Sequence, residues 1–447
     1  MKNIKLPQEL KNIVNTLEES GFEAYLVGGA VRDYLLGLEV FDYDISTSAK
    51  PNELLSIFEG FNIKSEGIDY GSLKLILAQN SYEITAFRKD LSYSDHRRPD
   101  TVLFTDSLEE DLLRRDFTVN AMALSKDGKL IDPLNGKSDL GARLIRTIKS
   151  PDFSFNEDAL RILRALRFAS ALGFEIEQNT RESIFKNKEL LSFLSASRIT
   201  EELTGILCGD YVIPVLREYR ELIAVLIPEL RAGFDFEQNN PHHEFDVWEH
   251  TIYVVHYSSK DPITRWAALM HDIAKPICYK QDEFGIGHFK GHAKVGEEMT
   301  CEIMKRLNFK SADISAVCAL IRNHYPVPAQ SKKSVKKALL KLGYDNFLRL
   351  LSLIKADNLS KKNAPDDAEI TRINEHIDGL KALAGSIIAE NECFSLKDLK
   401  LSGFDVMALG YKNREVGEVL DFALNAVIDE HVANDRASIL KYISENY

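Results

Sequence analysis

Two patterns of apolar spacing divide the chain. Up to about residue 150, short apolar runs alternate with turn residues: EAYLVGG, FDYDIST, SLKLILA, SYEITAF and DTVLF are rich in β-branched and aromatic side chains and are bounded by Gly, Asn, Asp or Ser. That pattern predicts strands. From Glu157 onward the apolar positions recur at spacings of three and four, as in EDALRILRALRFASAL, ASRITEELTGILCG and SVKKALLKLGYDNFLRLLSLIKAD, which predicts long amphipathic helices. The expected fold class is an α/β head, a mixed sheet with helices, followed by an elongated all-α remainder. The opening MKNIKLPQELKNIVNTLEES is polar and periodic, so it reads as an amphipathic helix and not as a signal peptide. No apolar run reaches the length of a membrane span.

Breaks in the pattern suggest where the parts meet. SPDFSFNED at 150–158 is a proline-containing polar stretch before a helical run and reads as a linker; RAGFDFEQNNPHHEFD at 231–246 is too rich in Asn, Pro and Gly for regular structure; SKKNAPDDAE near residue 365 is a weaker break. These give four expected domains: 1–150, 151–235, 236–362 and 363–447. The chain's 447 residues are enough for about three units with cores of their own. Hydrophobic residues at 45% and charged residues at 28% exclude wholesale disorder and a disulfide-stapled miniprotein.

The net charge of −12 argues against a protein that coats nucleic acid through its overall field, while leaving room for a local basic channel. KSVKKALLK at 333–341 and RLIRTIK at 143–149 are candidate phosphate contacts, and equally ordinary solvated surfaces. Cys208, Cys278, Cys301, Cys318 and Cys393 form no C-x-x-C pair, which fits small core thiols in a reducing compartment and a cytoplasmic location.

Chemistry enters at LVGGAVRDYLLG, where an apolar strand ends at Gly28 and Gly29 and a helix with Arg32 begins at once. Backbone N–H groups there can face an anion, although taken alone the glycines are better read as a tight strand-to-helix turn. The next strand, FDYDIST, carries Asp42 and Asp44 two apart and so on one face. Two adjacent carboxylates repel unless a cation lies between them, and hard oxygen ligands suit Mg²⁺. Glu83 in YEITAFR is either a third carboxylate or a solvent-facing strand residue.

Together with RRDFTVNAMA at Arg114 to Ala123 and EDALRILRALRFA at Glu157 to Ala169, these motifs resemble the class II tRNA nucleotidyltransferases, a family shared by CCA-adding enzymes and bacterial poly(A) polymerases. They cover about the first 200 residues in the family's order. The resemblance implies template-free addition of CCA to the 3′ end of tRNA from CTP and ATP with Mg²⁺. Asp42 and Asp44, with Glu83, would hold the metal; Gly28, Gly29 and Arg32 would hold the phosphates; Arg114, Arg115, Asp116 and Asn120 would contact the nucleotide. Asp158, Arg161 and Arg164, spaced by three, would form one polar stripe on a helix that selects the base, with Arg167 continuing it. The four domains then become a catalytic head, a helical neck carrying the selecting motif, a central domain and a C-terminal RNA-binding region.

KNIVNTLEESGFEAY lacks the basic-aromatic signature of poly(A) polymerases, and the loop after YEITAFR retains Arg88, Asp90, Tyr93, Asp95, Arg97 and Arg98, which CC-adding enzymes tend to lose. Complete CCA addition is therefore expected. A poly(A) polymerase, a CC- or A-adding enzyme, and a hydrolase with an RNA-binding head are the alternatives.

A second constellation lies beyond residue 240: His250, His271 with Asp272, His292, His324 and Asp357. Imidazole and carboxylate ligands suit divalent transition metals, which supply hydrolytic chemistry at neutral pH. The order resembles the HD superfamily of metal-dependent phosphohydrolases. That resemblance implies His250, His271, Asp272 and Asp357 as the basic ligand set and His292 and His324 as the extra histidines of two-metal members. Ala274 stands where many members have glycine, which suggests a slight displacement of Lys275. His242, His243, His256 and His288 have no role in this reading. No membrane and no obligate protein partner are expected.

Overall fold

The computed structural model describes residues 6–40, 42–77, 80–92, 101–241, 243–362 and 366–447. The chain divides into two compact units, Met1–Tyr211 with Tyr219–Leu226, and Val212–Glu218 with Ile227–Tyr447.

The first unit opens with helix α1 (Gln8–Glu19), whose Leu10, Ile13, Val14 and Leu17 are buried at the expected spacing of three and four. Eleven strands follow among the described residues: β1 (Ala24–Val27), β2 (Tyr43–Thr47), β3 (Ile63–Lys64), β4 (Ser72–Leu77), β5 (Asn80–Ala86), β6 (Arg88–Ser92), β7 (Thr101–Phe104), β8 (Ala123–Leu124), β9 (Leu130–Ile131), β10 (Leu144–Ile145) and β11 (Glu175–Ile176). Seven form one mixed sheet in the order β3-β4-β5-β2-β1-β8-β9, in which β2 and β5 run parallel and the other pairs antiparallel. The run DTVLF, expected to resemble the others, lies outside this sheet: β7 pairs only with β6 in a separate hairpin. Its alternate residues are exposed, so it lacks the burial that holds the core strands.

Helix α2 (Gly29–Leu36) leaves β1 directly. Gly28 makes this turn at φ 71°, and a Cβ there would lie 3.1 Å from Arg115 Nη1 and 3.4 Å from Asp44 Oδ2, so both the turn and the close approach call for glycine. Helix α3 (Leu108–Leu113) is capped by Ser107, whose Oγ accepts from Glu110 N. The expected linker at 150–158 is instead helix α4 (Pro151–Glu157); proline at the first helical position costs no hydrogen bond and starts the turn. Helices α5 (Leu160–Leu172) and α6 (Ala196–Leu207) pack together through apolar faces that include Leu163, Leu166, Leu203 and Ile206.

Among its described residues the second unit's only strands are two of two residues each, Lys280–Gln281 and Gly287–His288, paired antiparallel. Its helices include α7 (Val247–Tyr257), α8 (Pro262–Met270), α9 (His292–Arg306), α10 (Ser311–Asn323), α11 (Lys332–Leu359), α12 (Asp367–Ala389), α13 (Arg414–Ile428) and α14 (Arg436–Asn446). The stretch 234–246 has no helix or strand among its described residues, as its composition suggests. Helix α11, predicted as one run, is interrupted at Gly343, whose φ of 71° and ψ of 169° are not helical. Trp266 is buried edge-on to Phe309, while Val419, Ala423, Leu424 and Ile428 of α13 meet Ile439 of α14 in a separate C-terminal core. No described helix is long and apolar enough to cross a membrane.

Both basic surface patches have acidic neighbours. In the 333–341 patch, Lys336 is buried against Glu392 at 2.7 Å, and Lys333 and Lys337 both meet Asp429. In the 143–149 patch, Arg146 pairs with Asp139, and Lys149 with Glu157 at 2.7 Å. Lys333, Lys336 and Lys337 meet carboxylates distant in sequence, whereas Arg146 and Lys149 meet acids seven and eight residues away. Cys301 and Cys318, expected as separate thiols, are joined across the α9–α10 pair with Cα atoms 6.2 Å apart.

Candidate functional sites

The first site is a cavity of about 520 Å³ in the first unit. The parallel register sets Asp44 beside Glu83, and the antiparallel register sets it beside Val27, next to the diglycine turn. Asp44 is therefore held where strand, turn and helix start converge. Burial, and then the charge of Glu83, raise its pKa, with Arg115 opposing; a cation placed there relieves both penalties. Asp42 also lines the cavity, whereas Glu83 is not among the lining residues and accepts a hydrogen bond from Ser72 Oγ at 2.7 Å.

The remaining expected residues, Gly28, Gly29, Arg32, Arg114, Arg115, Asp116, Asn120, Asp158, Arg161, Arg164 and Arg167, all line this cavity. Arg32 is bidentate on Asp33 and donates to Asn120 Oδ1 at 2.8 Å. Asn120 in turn donates to Asp116, which also takes Arg164 Nε at 2.8 Å. Burial alone would raise Asp116, but Arg164 and these donors bring it down to about 2. Guanidinium groups of Arg32, Arg164 and Arg167 lie 4.9, 5.3 and 5.3 Å from the centre of the Phe168 ring, within cation–π range.

The polar stripe is corrected in one respect. Asp158 is not in the helix; it stands between α4 and α5 with extended backbone and accepts from Leu160 N at 2.9 Å. A carboxylate that binds its own following N–H caps a helix better than it continues one. Arg161 is nearly buried, held by Glu157, Ser154 and the carbonyl of Arg114. Arg88 and Asp90 reach the cavity as well; Tyr93, Asp95, Arg97 and Arg98 lie outside the described residues.

Sequence reasoning missed Asp111 and Glu202. Asp111, fully buried, accepts from Arg114 through one oxygen and from Arg115 and Ser46 through the other. Glu202 pairs with Arg167 at 3.1 Å. Both read as routine helix charges; Asp111 stands one turn before Arg114 and Arg115, a local hint at pairing that Glu202 lacks, since Arg167 is on another helix.

The second site lies wholly in the second unit. His250, His271 and Asp272 bring ligand atoms within 4.8 Å of one another, and so do Asp272, His292 and His324. Asp272 thus belongs to both groups. Asp357 Oδ1 completes the first at 3.1 Å from His250 Nε2. In all four histidines Nδ1 meets a backbone carbonyl, of Ser360, Ala268, Phe289 and Ile321 respectively, at 2.7–3.1 Å. Such a contact places the proton on Nδ1 and leaves the Nε2 lone pair facing inward. The Nε2 atoms then face each other at 3.4 Å for His250 and His271 and 3.2 Å for His292 and His324. Paired lone pairs beside carboxylates are satisfied by cations, so the donor set fits divalent metal.

Burial, and then His271, push His324 down to about 4, which keeps it a neutral ligand. Burial opposes ionisation of Asp272, but His271 and Lys275 hold its pKa well below the usual range. Lys275 is not displaced from this carboxylate by Ala274: its Nζ lies 2.7 Å from Asp272 Oδ2 and 2.8 Å from Gln238 Oε1. His243, previously without a role, stands edge-on to His250; His242 lies outside the described residues.

Three family models match the chain: a poly A polymerase head domain over residues 24–146, a probable RNA and SrmB-binding site of polymerase A over 173–234, and an HD domain over 247–360. The CCA-adding enzyme of Bacillus velezensis is 33% identical over 412 residues, covering 91% of this chain and 89% of that protein. That of Bacillus pumilus is 32% identical and covers 97% and 95%. With the CCA-adding enzyme of Geobacillus thermodenitrificans identity rises to 45%, but the match spans only 47% of this chain and about half, 52%, of the relative. Among solved structures, the Bacillus stearothermophilus CCA-adding enzyme in complex with CTP superposes with a TM-score of 0.70 at 26% identity, covering 98% and 96% of the two chains. The Thermotoga maritima CCA-adding enzyme complexed with tRNA shares the fold at 19% identity, with a TM-score of 0.53 and coverage of 99% and 98%. Nucleotidyltransferase and HD domains generally work with divalent metals.

Proposed function

The chain belongs to the family of CCA-adding enzymes, and from that premise we propose that its first unit adds CCA to the 3′ end of tRNA from CTP and ATP. One observation carries the reading: a single cavity unites the strand carboxylates, the diglycine turn, the arginine cluster and Asp158. The reaction joins the RNA 3′ oxygen to the α-phosphorus of the nucleotide and releases pyrophosphate. Asp42 and Asp44, flanked by Glu83, would hold Mg²⁺, which would lower the charge cost of attack and departure. Gly28, Gly29 and Arg32 face the phosphates, and Arg114, Arg115, Asp116 and Asn120 frame the nucleotide.

Base choice follows from hydrogen-bond polarity. Cytosine and adenine each present an exocyclic amino donor beside a ring-nitrogen acceptor, whereas uracil and guanine present a carbonyl beside an N–H. A carboxylate at Asp158 accepts from the amino group, and guanidinium N–H groups of Arg161 and Arg164 donate to the ring nitrogen. The protein thereby serves as its own template, with Arg167 completing the cationic wall.

In the second unit His250, His271, Asp272, His292, His324 and Asp357 would hold divalent transition metal, which would supply Lewis-acid activation of water for phosphohydrolase chemistry. We assign 1–150 to catalysis, 151–235 to nucleotide selection, 236–362 to hydrolysis and 363–447 to RNA binding, with the chain working in the cytoplasm and needing no protein partner. Incubating tRNA that lacks its tail with CTP and ATP tests the main reading. Extension that stops after three nucleotides supports it; a long adenylate ladder or a stop after two contradicts it.

A further inference from the structure

The second site opens into a cavity of about 950 Å³, near the top of the roughly 300–1,000 Å³ range of small-ligand pockets. Its walls carry Lys290, Lys294, Arg322, Lys337, Lys341 and Lys361 besides Lys275, while Asp272 and Asp357 are the only carboxylates among the described lining residues. That is seven cations against two acids, in a chain whose net charge is −12.

Some of these cations are already engaged. Arg322 faces Glu297 at 3.6 Å and Lys337 meets Asp429 at 2.6 Å. Lys290, Lys294 and Lys341 have no carboxylate partner among the described residues. A single phosphate at the histidine-aspartate clusters leaves this wall uncompensated, so the excess charge calls for further phosphates on the same ligand. Tyr325, 67% exposed, stands at the rim with its ring 6.2 Å from that of His292. An exposed aromatic in the same cavity as lysines without a carboxylate partner is the combination that holds unpaired bases and their backbone.

We infer that this cavity receives the end of a single-stranded oligoribonucleotide, the terminal phosphate at the histidine-aspartate clusters and the preceding phosphates on the lysine wall. The inference rests on the phosphohydrolase reading for the fate of that terminal phosphate. Hydrolysis there forms a P–O bond from water as the P–O bond to ribose breaks, and the proton that water loses is matched by one that the ribose oxygen gains.

The test uses the full-length protein. Lysine accessibility is measured residue by residue, by amine-reactive labelling and mass spectrometry on chelated protein, with four probes: a trinucleotide ending in a 3′-phosphate, the corresponding mononucleotide, ATP and inorganic phosphate. The trinucleotide is expected to slow labelling of Lys290, Lys294 and Lys341 at least about threefold and inorganic phosphate not at all. Equal protection by ATP or the mononucleotide, or none by the trinucleotide, overturns the inference. In a second arm with Mn²⁺, phosphate release from trinucleotide and mononucleotide is compared. Lys290→Glu with Lys294→Glu is expected to lower the trinucleotide preference in kcat/KM by about tenfold, since each lost phosphate contact weakens polyanion binding; an unchanged preference contradicts the assignment of the wall. Protection without phosphate release supports the strand-end assignment and removes the phosphohydrolase reading alone.

Discussion

Asp111 ties both arginines of the RRD motif to one fully buried carboxylate, and through Ser46 to the strand that bears Asp44. Burial opposes its ionisation, yet Arg114 and Arg115 hold its pKa below the usual value. Asp111→Asn keeps the shape and removes the charge, leaving two guanidinium groups without their anchor. Because displacements of about 1 Å in positioning groups cost on the order of 10²-fold in rate, kcat/KM for CTP should fall by about that factor, and Asp111→Glu should recover part of it; steady-state kinetics on both variants decides. Asp116 gives a pH prediction. Its pKa falls from 3.8 unfolded to about 2 in the fold, so its contribution, on the order of 2 kcal/mol, is complete above pH ~4 and disappears as pH drops through ~2. Urea melts of wild type and Asp116→Asn should converge in that window; a constant gap down to pH 2 would contradict the pairing with Arg164.

Helix α5 lines the first cavity through Arg161, Arg164, Arg167 and Phe168, and glycine decides how closely α6 approaches it. A Cβ on Gly205 would lie 2.5 Å from Arg167 Cδ, in the middle of the side chain that Glu202 fixes. Gly205→Ala should therefore shift Arg167 and raise misincorporation of UTP or GTP several-fold, while the melting temperature moves little; unchanged selectivity would remove Arg167 from base choice. At this scale the sequence was legible where periodicity was unbroken: the strand runs of the sheet and the three-and-four spacing of α5 and α6 correspond to observed elements. It was misleading where one residue has two uses. Pro151 reads as a linker but starts a helix, Asp158 reads as helical but caps one, and Gly343 breaks a run that its apolar neighbours continue. The lysines at 333 to 337 looked free because Glu392 and Asp429, their partners, lie far along the chain. The carboxylates and histidines of both candidate sites were legible because each motif is local; Asp111 and Glu202 were not, since their importance lies in what the fold brings to them.

The two sites lie in separate compact units, so their chemistries should dissociate. His271→Ala with Asp272→Ala should abolish phosphate release and leave CCA addition within about twofold; loss of both activities in folded protein would contradict separate sites. Overall charge gives no electrostatic drive toward RNA, so tRNA affinity must come from local cations and should fall steeply with salt. The most direct measurement is single-turnover extension of a tail-less tRNA by Asp42→Ala and Asp44→Ala, with tRNA binding followed in the same samples. The account predicts that both variants bind tRNA with near wild-type affinity and add no nucleotide, because the carboxylates hold the metal and not the RNA backbone. Extension at wild-type rate by either variant would contradict it.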